Sequence, residues 1–113
     1  MFQEDLLKNK TIIITGGGTG LGKSMATRFG ELGANLVITS RKQDVLDSTA
    51  NELKATGAQV LPIACDVRKT DEVQNVVDKT IGKFGKIAIL VNNAAGNFIS
   101  PTELLTTGGC KVV

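Results

Sequence analysis

A glycine-rich segment between an apolar run and a helical pattern constrains the fold of this chain most strongly. Residues 15–22 read Thr-Gly-Gly-Gly-Thr-Gly-Leu-Gly and hold five of the 13 glycines in the 113-residue sequence. The preceding run, Lys10 to Thr15, contains three consecutive isoleucines, which is typical of a strand buried on both faces. The glycines are therefore expected at the junction between a strand and a helix.

This position suits the binding of a phosphate group. The first turn of a helix has unpaired N–H groups and a partial positive charge, and glycine lets the backbone come close to a ligand. We expect Gly16 to form a tight turn, Gly20 to approach a pyrophosphate, and Gly22 to let the helix pack on the strand. The alternative is a merely flexible turn, which would lose backbone entropy on folding without any gain in binding.

Three further strands are expected along the chain, at residues 35–39, 59–65 and 87–91. Helices are predicted between the strands because apolar residues recur there every three or four positions, and each pattern stops at a glycine. The predicted stripes and stops are Leu21, Met25, Phe29 and Leu32 before Gly33; Val45, Leu46, Thr49, Ala50 and Leu53 before Gly57; and Val73, Val76, Val77, Ile81 and Phe84 before Gly85, with Thr70 as the cap.

The order βαβαβαβ predicts an α/β fold, a Rossmann-type doubly wound parallel sheet with strand order 3-2-1-4, truncated after the fourth strand. Pro62 lies within the third strand, and proline is tolerated at sheet edges because it lacks a ladder donor. We predict a dinucleotide-binding half-domain at residues 1–104 and an atypical tail at residues 105–113.

A second interpretation uses the same glycines. Gly17 to Ser24 also fits the phosphate-loop pattern of nucleotidases, with Lys23 beside the phosphates and Asp66 near a magnesium ion. That fold places the aspartate strand inside the sheet, where Pro62 would interrupt a ladder. We therefore favour the dinucleotide-binding interpretation.

Composition excludes several other functions. The chain has no His, Tyr or Trp, so it cannot supply a Ser-His-Asp triad or a His-ligated metal by itself, and we predict no metal site. Thirteen basic and 11 acidic residues give a net charge of +2, which provides no reason to expect nucleic acid or a membrane surface as partner. Its apolar runs are too short for a membrane span. Cys65 and Cys110 are expected to be reduced thiols of a cytoplasmic protein.

Four motifs resemble those of the short-chain dehydrogenase/reductase family and follow one another in the same order as in that family. They are TGGGTGLG at 15–22, TSRK at 39–42, CDV at 65–67 and LVNNAAG at 90–96, and together they extend over nearly all of residues 8–100. The resemblance implies a nicotinamide dinucleotide cofactor, bound by Gly16, Thr19, Gly20, Leu21, Gly22, Ser40, Arg41, Lys42, Asp66, Val67, Asn92, Ala94 and Gly96.

The residues after the second strand indicate which cofactor. An acidic residue there would bind the ribose 2′-hydroxyl of NAD, whereas this chain has Ser40, Arg41 and Lys42. A guanidinium can bind a 2′-phosphate through two parallel hydrogen bonds, so NADP (NADPH) is expected. A solvated basic turn is the alternative for these residues, and an ordinary strand-end cap is the alternative for Asp66.

Within the family the chain looks most like 2,4-dienoyl-CoA reductases, because NNAAGNF at 92–98 replaces the shorter NNAG of most members. This likeness implies hydride transfer from NADPH to a conjugated dienoyl thioester. It also implies that Arg68 and Phe98 contact the acyl-CoA substrate, and that a full-length relative forms a homo-oligomer.

The family's catalytic Asn, Ser, Tyr and Lys lie beyond the fourth strand, and none can be assigned here. Leu105 to Val113 does not resemble the helix that follows in the family, which suggests a truncation or a changed reading frame after Glu103. We expect an inactive fragment whose fourth strand has a bare apolar edge (Ile87, Ile89, Leu90 and Val91), and which is marginally stable and self-associating. A non-catalytic dinucleotide-binding module is the alternative function.

Overall fold

A parallel β-sheet with helices on both faces forms the centre of the computed structural model, which describes residues 7–16, 20–66, 68–86, 89–92 and 111–112. In chain order the elements are β1 (Thr11–Thr15), α1 (Gly20–Glu31), β2 (Asn35–Ser40), α2 (Gln43–Lys54), β3 (Val60–Ala64), α3 (Thr70–Phe84), β4 (Ile89–Asn92) and β5 (Lys111–Val112). No helix among the described residues is both long enough and apolar enough to cross a membrane.

The strand order is β3-β2-β1-β4-β5, and every pairing is parallel. The predicted order 3-2-1-4 is therefore confirmed, and Pro62 lies in an edge strand as expected. The sheet does not stop at the fourth strand, however. Ile89 pairs with Lys111 and Leu90 with Val112, so the prediction of a bare edge is wrong at those two positions because the backbone of the tail covers them.

Both faces of the sheet are buried, which explains the three consecutive isoleucines of β1. Ile12 and Ile14 pack in one cluster with residues of α1 and α2, and Ile13 packs in a second cluster with valines of α3. All three are 0% exposed. Neighbouring side chains of a strand point to opposite faces, so a strand covered on both faces needs apolar residues at every position.

Helix α1 packs through small residues rather than through the predicted apolar stripe. Its buried positions are Gly22, Ala26 and Gly30, which recur every fourth residue and bring the helix backbone close to the sheet. Met25 and Phe29 are only partly buried beside them, and Leu21 is 67% exposed. The predicted burial of Leu21 is thus wrong, since the face that meets the sheet is one position further along the helix.

Helix α3 differs from prediction at two residues. Val73, Val76 and Val77 are buried as expected, but Ile81 is 43% exposed and Thr80 is buried in its place. The Thr80 hydroxyl donates to the Val76 carbonyl at 2.7 Å, which satisfies it inside the core. Lys69 occupies the N-cap position without a side-chain cap hydrogen bond, and Thr70, the predicted cap, is the first helical residue.

The edge strand β3 presents few free donors to solvent. The Cys65 N–H donates to the Ser40 carbonyl, so the alternate positions, Pro62 and Ala64, face away from β2. Proline has no N–H, and the Ala64 N–H donates to Gln43 Oε1 at 3.2 Å. Proline and a glutamine side chain thus protect this edge from pairing with another strand.

Candidate functional site

The predicted site residues lie where four parallel strands end. Gly16 follows β1, Ser40 ends β2, Asp66 lies two residues beyond β3, and Asn92 ends β4. Because the strands are parallel, these four ends meet at one edge of the sheet. In open α/β sheets ligands bind beyond this edge, so the structure brings together the motifs that the sequence singled out.

The glycine turn after β1 has the backbone geometry that only glycine adopts readily. Gly16 has φ of 67° and its N–H donates to the Thr39 carbonyl at 2.8 Å, while Gly20 begins α1 with φ of 58°. Among the described residues, no atom beyond the immediate chain neighbours would lie within 4 Å of a Cβ atom at Gly20. No described residue therefore blocks a ligand from the backbone at the start of α1.

The N-terminus of α1 also differs electrostatically from those of the other described helices. Its first turn contains no acidic residue, whereas α2 has Asp44 there and α3 has Asp71 and Glu72. A carboxylate in the first turn compensates the positive end of the helix dipole. No carboxylate in the first turn of α1 compensates that end, so an anionic ligand would be favoured there.

The turn after β2 holds Ser40 in place and presents two cations. The Ser40 carbonyl accepts from the Cys65 N–H at 2.8 Å, and its Oγ accepts from the Lys42 N–H at 3.1 Å. The Ser40 hydroxyl proton can therefore be donated to a ligand oxygen. Arg41 and Lys42 are exposed beside it, next to the glycine turn, because Thr15 and Thr39 are paired in the sheet.

Asp66 and Arg68 form an ion pair after β3. The Arg68 guanidinium donates through Nε to Asp66 Oδ1 at 3.0 Å and through Nη2 to Oδ2 at 2.9 Å, and the Arg68 backbone N–H donates to Oδ1 at 3.0 Å. Hydrogen bonds from Arg68, and more weakly the charge of Arg41, hold the pKa of Asp66 well below its usual range. The same pairing raises the pKa of Arg68. Asp66 is therefore an ionised acceptor at neutral pH.

Glu72 supports this loop, and the sequence interpretation missed it. Its Oε1 accepts from the Asp66 N–H at 3.0 Å, and its Oε2 lies 3.5 Å from Lys69 Nζ. The position of Glu72 in the first turn of α3 is the signal that could have revealed it, because a carboxylate there commonly accepts from backbone N–H groups just before the helix.

Thr15 joins β1 to β4 at the same edge. Its Oγ1 lies 3.3 Å from the Val91 carbonyl and 3.2 Å from Asn92 Oδ1, and its single hydroxyl proton is shared between these acceptors. This contact holds the ends of the two central strands together.

Cys65 is a free, buried thiol next to this loop. Burial raises its pKa from 9.0 to about 11, with smaller contributions from the carboxylates of Glu72, Asp66 and Asp71. A thiol with this pKa is protonated at neutral pH and is a poor nucleophile. Among the described residues, no group of three His, Cys, Asp or Glu side chains could hold a metal ion.

Several predicted positions lie outside the described residues. They are Thr19 between β1 and α1, Val67 after Asp66, Ile87 of the predicted apolar edge, Ala94, Gly96 and Phe98 after β4, and the second cysteine, Cys110.

Comparison with known proteins identifies the family. The sequence profile of the short chain dehydrogenase family matches residues 10–108. The chain therefore belongs to this family, whose members use nicotinamide dinucleotide cofactors, and the resemblance noted in the sequence is confirmed. The parallel sheet with helices on both faces agrees with that family.

Individual members of the family show which enzymes this chain is similar to. The chain is 39% identical over 112 residues to the peroxisomal 2,4-dienoyl-CoA reductase of Arabidopsis thaliana. This alignment covers 99% of the chain and 38% of the reductase. A solved short chain dehydrogenase from Bacillus anthracis superposes with a TM-score of 0.76 at 48% identity, over 86% of this chain and 39% of that one. A 3-ketoacyl-(acyl-carrier-protein) reductase from Brucella melitensis, solved with NADH, superposes with a TM-score of 0.70 at 38% identity. The superposition covers 75% of this chain and 34% of that one. The chain thus spans well under half the length of these relatives.

The phosphate-loop interpretation is wrong. The strand that leads to Asp66 is at the edge of the sheet and is separated from β1 by β2, so Asp66 is remote from the position of a magnesium ligand in that fold. Asp66 is paired with Arg68, and Lys23 of α1 forms an ion pair with Glu52 of α2 instead of extending toward a phosphate.

Proposed function

We propose that this chain is the cofactor-binding part of an NADP-dependent oxidoreductase that reduces 2,4-dienoyl-CoA thioesters in fatty acid breakdown. One observation supports the cofactor assignment most directly. The N-terminus of α1, which has no acidic residue in its first turn, lies at the same edge of the sheet as the exposed cations Arg41 and Lys42, because β1 and β2 are neighbours in the sheet. A dinucleotide that carries a third phosphate matches both features.

The preference for NADP rests on the turn after β2. Ser40, Arg41 and Lys42 occupy the position where an acidic residue would otherwise bind a free 2′-hydroxyl. The guanidinium of Arg41 would bind the 2′-phosphate, and the Ser40 hydroxyl would donate to one of its oxygens.

The remaining cofactor contacts are assigned by position. The pyrophosphate would lie on the glycine turn, the adenine would lie against the Asp66 loop, and the nicotinamide end would lie near the end of β4. The residues proposed to bind are Gly16, Thr19, Gly20, Leu21, Gly22, Ser40, Arg41, Lys42, Asp66, Val67, Asn92, Ala94 and Gly96. When bound, the reduced nicotinamide supplies the hydride that a conjugated thioester accepts.

The substrate class is suggested by the relatives named 2,4-dienoyl-CoA reductases. Arg68 and Phe98 are proposed to contact an acyl-CoA, and a full-length protein is proposed to be a homo-oligomer. We assign residues 1–104 to the cofactor-binding unit. A cytoplasmic location stays a prediction, and the Arabidopsis relative is named as a peroxisomal enzyme.

The experiment that tests this function is a fluorescence titration of the chain with NADPH and NADH. Arg41→Asp should weaken NADPH binding by about tenfold or more, because a charge-assisted hydrogen bond contributes roughly 1.5–3 kcal/mol. NADH binding should change much less. The matched control is Arg28→Asp, the same change at an exposed position in the last turn of α1, away from the glycine turn.

Equal weakening of both cofactors by Arg41→Asp, or an NADPH preference that survives it, would contradict the NADP assignment. The chain has no tyrosine to donate a proton, so we propose that it binds NADPH without reducing a dienoyl-CoA. Consumption of NADPH in the presence of a 2,4-dienoyl-CoA would refute that part of the proposal.

A further inference from the structure

Arg68 binds the side chain of Asp66, the residue that is proposed to contact the adenine of the cofactor. Its Nε and Nη2 donate to the two different oxygens of the Asp66 carboxylate, at 3.0 and 2.9 Å. Its backbone N–H adds a third bond, to Oδ1 at 3.0 Å. A carboxylate bound at both oxygens cannot rotate about its last torsion without breaking at least one of these bonds.

The carboxylate is more enclosed than its partner. The side chain of Asp66 is 15% exposed and that of Arg68 is 67% exposed. The backbone of Asp66 is also held, since its N–H donates to Glu72 Oε1 and its carbonyl accepts from the Lys69 N–H at 2.9 Å. The loop therefore fixes the position of Asp66, and Arg68 fixes the orientation of its carboxylate.

The contacts also determine which oxygen can take part in binding. Oδ1 accepts two hydrogen bonds from Arg68, and Oδ2 accepts one. A carboxylate oxygen has about two acceptor positions, so Oδ2 retains one that no described residue fills and that a ligand can use. An ionised carboxylate only accepts, so this position favours a ligand N–H donor and opposes a ligand carbonyl oxygen.

We propose that Arg68 is a positioning residue for cofactor selection: it orients Asp66 so that Oδ2 accepts from the exocyclic amine of the adenine base. The inference rests on the proposed function, because it needs a dinucleotide in this site. It gives Arg68 a role toward the cofactor base that is separate from the proposed contact with acyl-CoA. The low pKa of Asp66 supports it, since the carboxylate stays an acceptor throughout the neutral range.

The test compares NADPH with its analogue in which hypoxanthine replaces adenine, so that a carbonyl oxygen replaces the amine. Both ligands carry the same phosphates and the same fluorescent reduced nicotinamide. The native chain should bind NADPH more tightly than the analogue. Arg68→Gln should reduce this ratio of affinities by about two- to fivefold, because ion pairs at exposed positions contribute interaction energies of about that size.

Two further variants sharpen the test. Arg68→Lys keeps the charge but cannot bond to both oxygens, so its ratio should fall between those of the native chain and of Arg68→Gln. Lys79→Gln is the matched control for the loss of a positive charge, since Lys79 is exposed in the middle of α3, and it should leave the ratio unchanged.

The outcomes separate the inference from the function on which it rests. If Arg68→Gln weakens both ligands by the same factor, or changes neither, Arg68 does not orient the base-binding carboxylate and the inference is overturned. A native ratio in Arg68→Lys would show that charge alone suffices, and would also overturn it. If the native chain binds neither ligand, the proposed function fails instead.

Discussion

At the scale of single residues, burial decides which side chains can react. Cys65 lies directly before the proposed adenine-binding loop, yet it is 2% exposed and its N–H donates to the Ser40 carbonyl. Removing a thiolate from water costs free energy, and three nearby carboxylates add to that cost. The motif Cys-Asp-Val therefore contains a thiol that belongs to the core and an aspartate that belongs to the site.

We predict that Cys65 reacts slowly with a thiol reagent in the folded protein. A rise in pKa from 9.0 to about 11 leaves roughly a hundredfold less thiolate near neutral pH, before any steric protection. The measurement uses the Cys110→Ser variant and follows the reaction with a chromogenic disulfide with and without denaturant. Equal rates in the two conditions would contradict the burial of this thiol.

The pH dependence has a defined sign. Because folding raises the pKa of Cys65, the contribution of the neutral thiol to stability is complete below 9.0 and is lost as the pH rises toward about 11. The fraction of thiolate also grows as the pH approaches about 11, so the labelling rate of the folded chain should increase with pH throughout that interval.

At the scale of helices and strands, the close packing of α1 against its neighbours requires glycine at position 30. A Cβ atom at Gly30 would lie 2.7 Å from Thr56 Oγ1 and 3.3 Å from Leu36 Cδ1. The Thr56 hydroxyl has little room to move, since it donates to the Leu53 carbonyl at 2.7 Å and accepts from the Ala58 N–H at 3.3 Å. The turn after α2 and the helix α1 thus fit together only with glycine at this position.

Two glycine-to-alanine substitutions should therefore have opposite effects. Gly30→Ala should destabilise the fold by about 1–2 kcal/mol, because the overpacking cost exceeds the gain in helix propensity. Gly82→Ala, in α3, should stabilise by about 0.5–1 kcal/mol, because no described residue outside the helix backbone has an atom within 4 Å of the added Cβ. Chemical denaturation measures both.

The double variant Gly30→Ala with Thr56→Ala serves as the control for the clash. It should be less destabilised than the sum of the two single changes, because removing the hydroxyl makes room for the methyl group. Two effects that simply add would show that Gly30 is not constrained by Thr56.

At the scale of the whole molecule, the two outer strands are covered in different ways. Pro62 and the Gln43 side chain protect β3, whereas the β4 residues Ile89 and Leu90 are covered by the backbone of β5. β5 is two residues long and comes from the tail that the sequence interpretation treated as atypical. In the part of the chain that the structure describes, the side of the sheet next to β4 is therefore covered by two residue pairings alone.

We predict that deleting residues 111–113 destabilises the chain by about 1–3 kcal/mol, the contribution of two or so backbone hydrogen bonds, and increases its self-association. Light scattering after size-exclusion chromatography, together with thermal melts, measures both effects. The control is Lys111→Ala with Val112→Ala, which keeps the backbone pairing. A deletion variant as monomeric and as stable as this control would show that β5 does not cover the edge.

Much of this architecture could be predicted from local sequence. The strands β1 to β4, the helices between them and the glycines at their ends follow from apolar spacing and from turn residues, which are properties of short segments. Gly33, Gly57 and Gly85 all have positive φ values after their helices. Leu21 and Ile81 were misplaced because each lies at the border of an apolar face, where the angle at which a helix meets the sheet decides burial.

The sequence by itself determined the alternation of strands and helices and the glycines at their junctions, because backbone preference and hydrophobic period act over a few residues. Only the tertiary structure decided that Arg68 binds both oxygens of Asp66, that Glu72 holds the Asp66 backbone, and that the tail adds a fifth strand. These contacts depend on the directions in which side chains and strands meet. Such directions are set by packing across the whole sheet, which no short segment encodes.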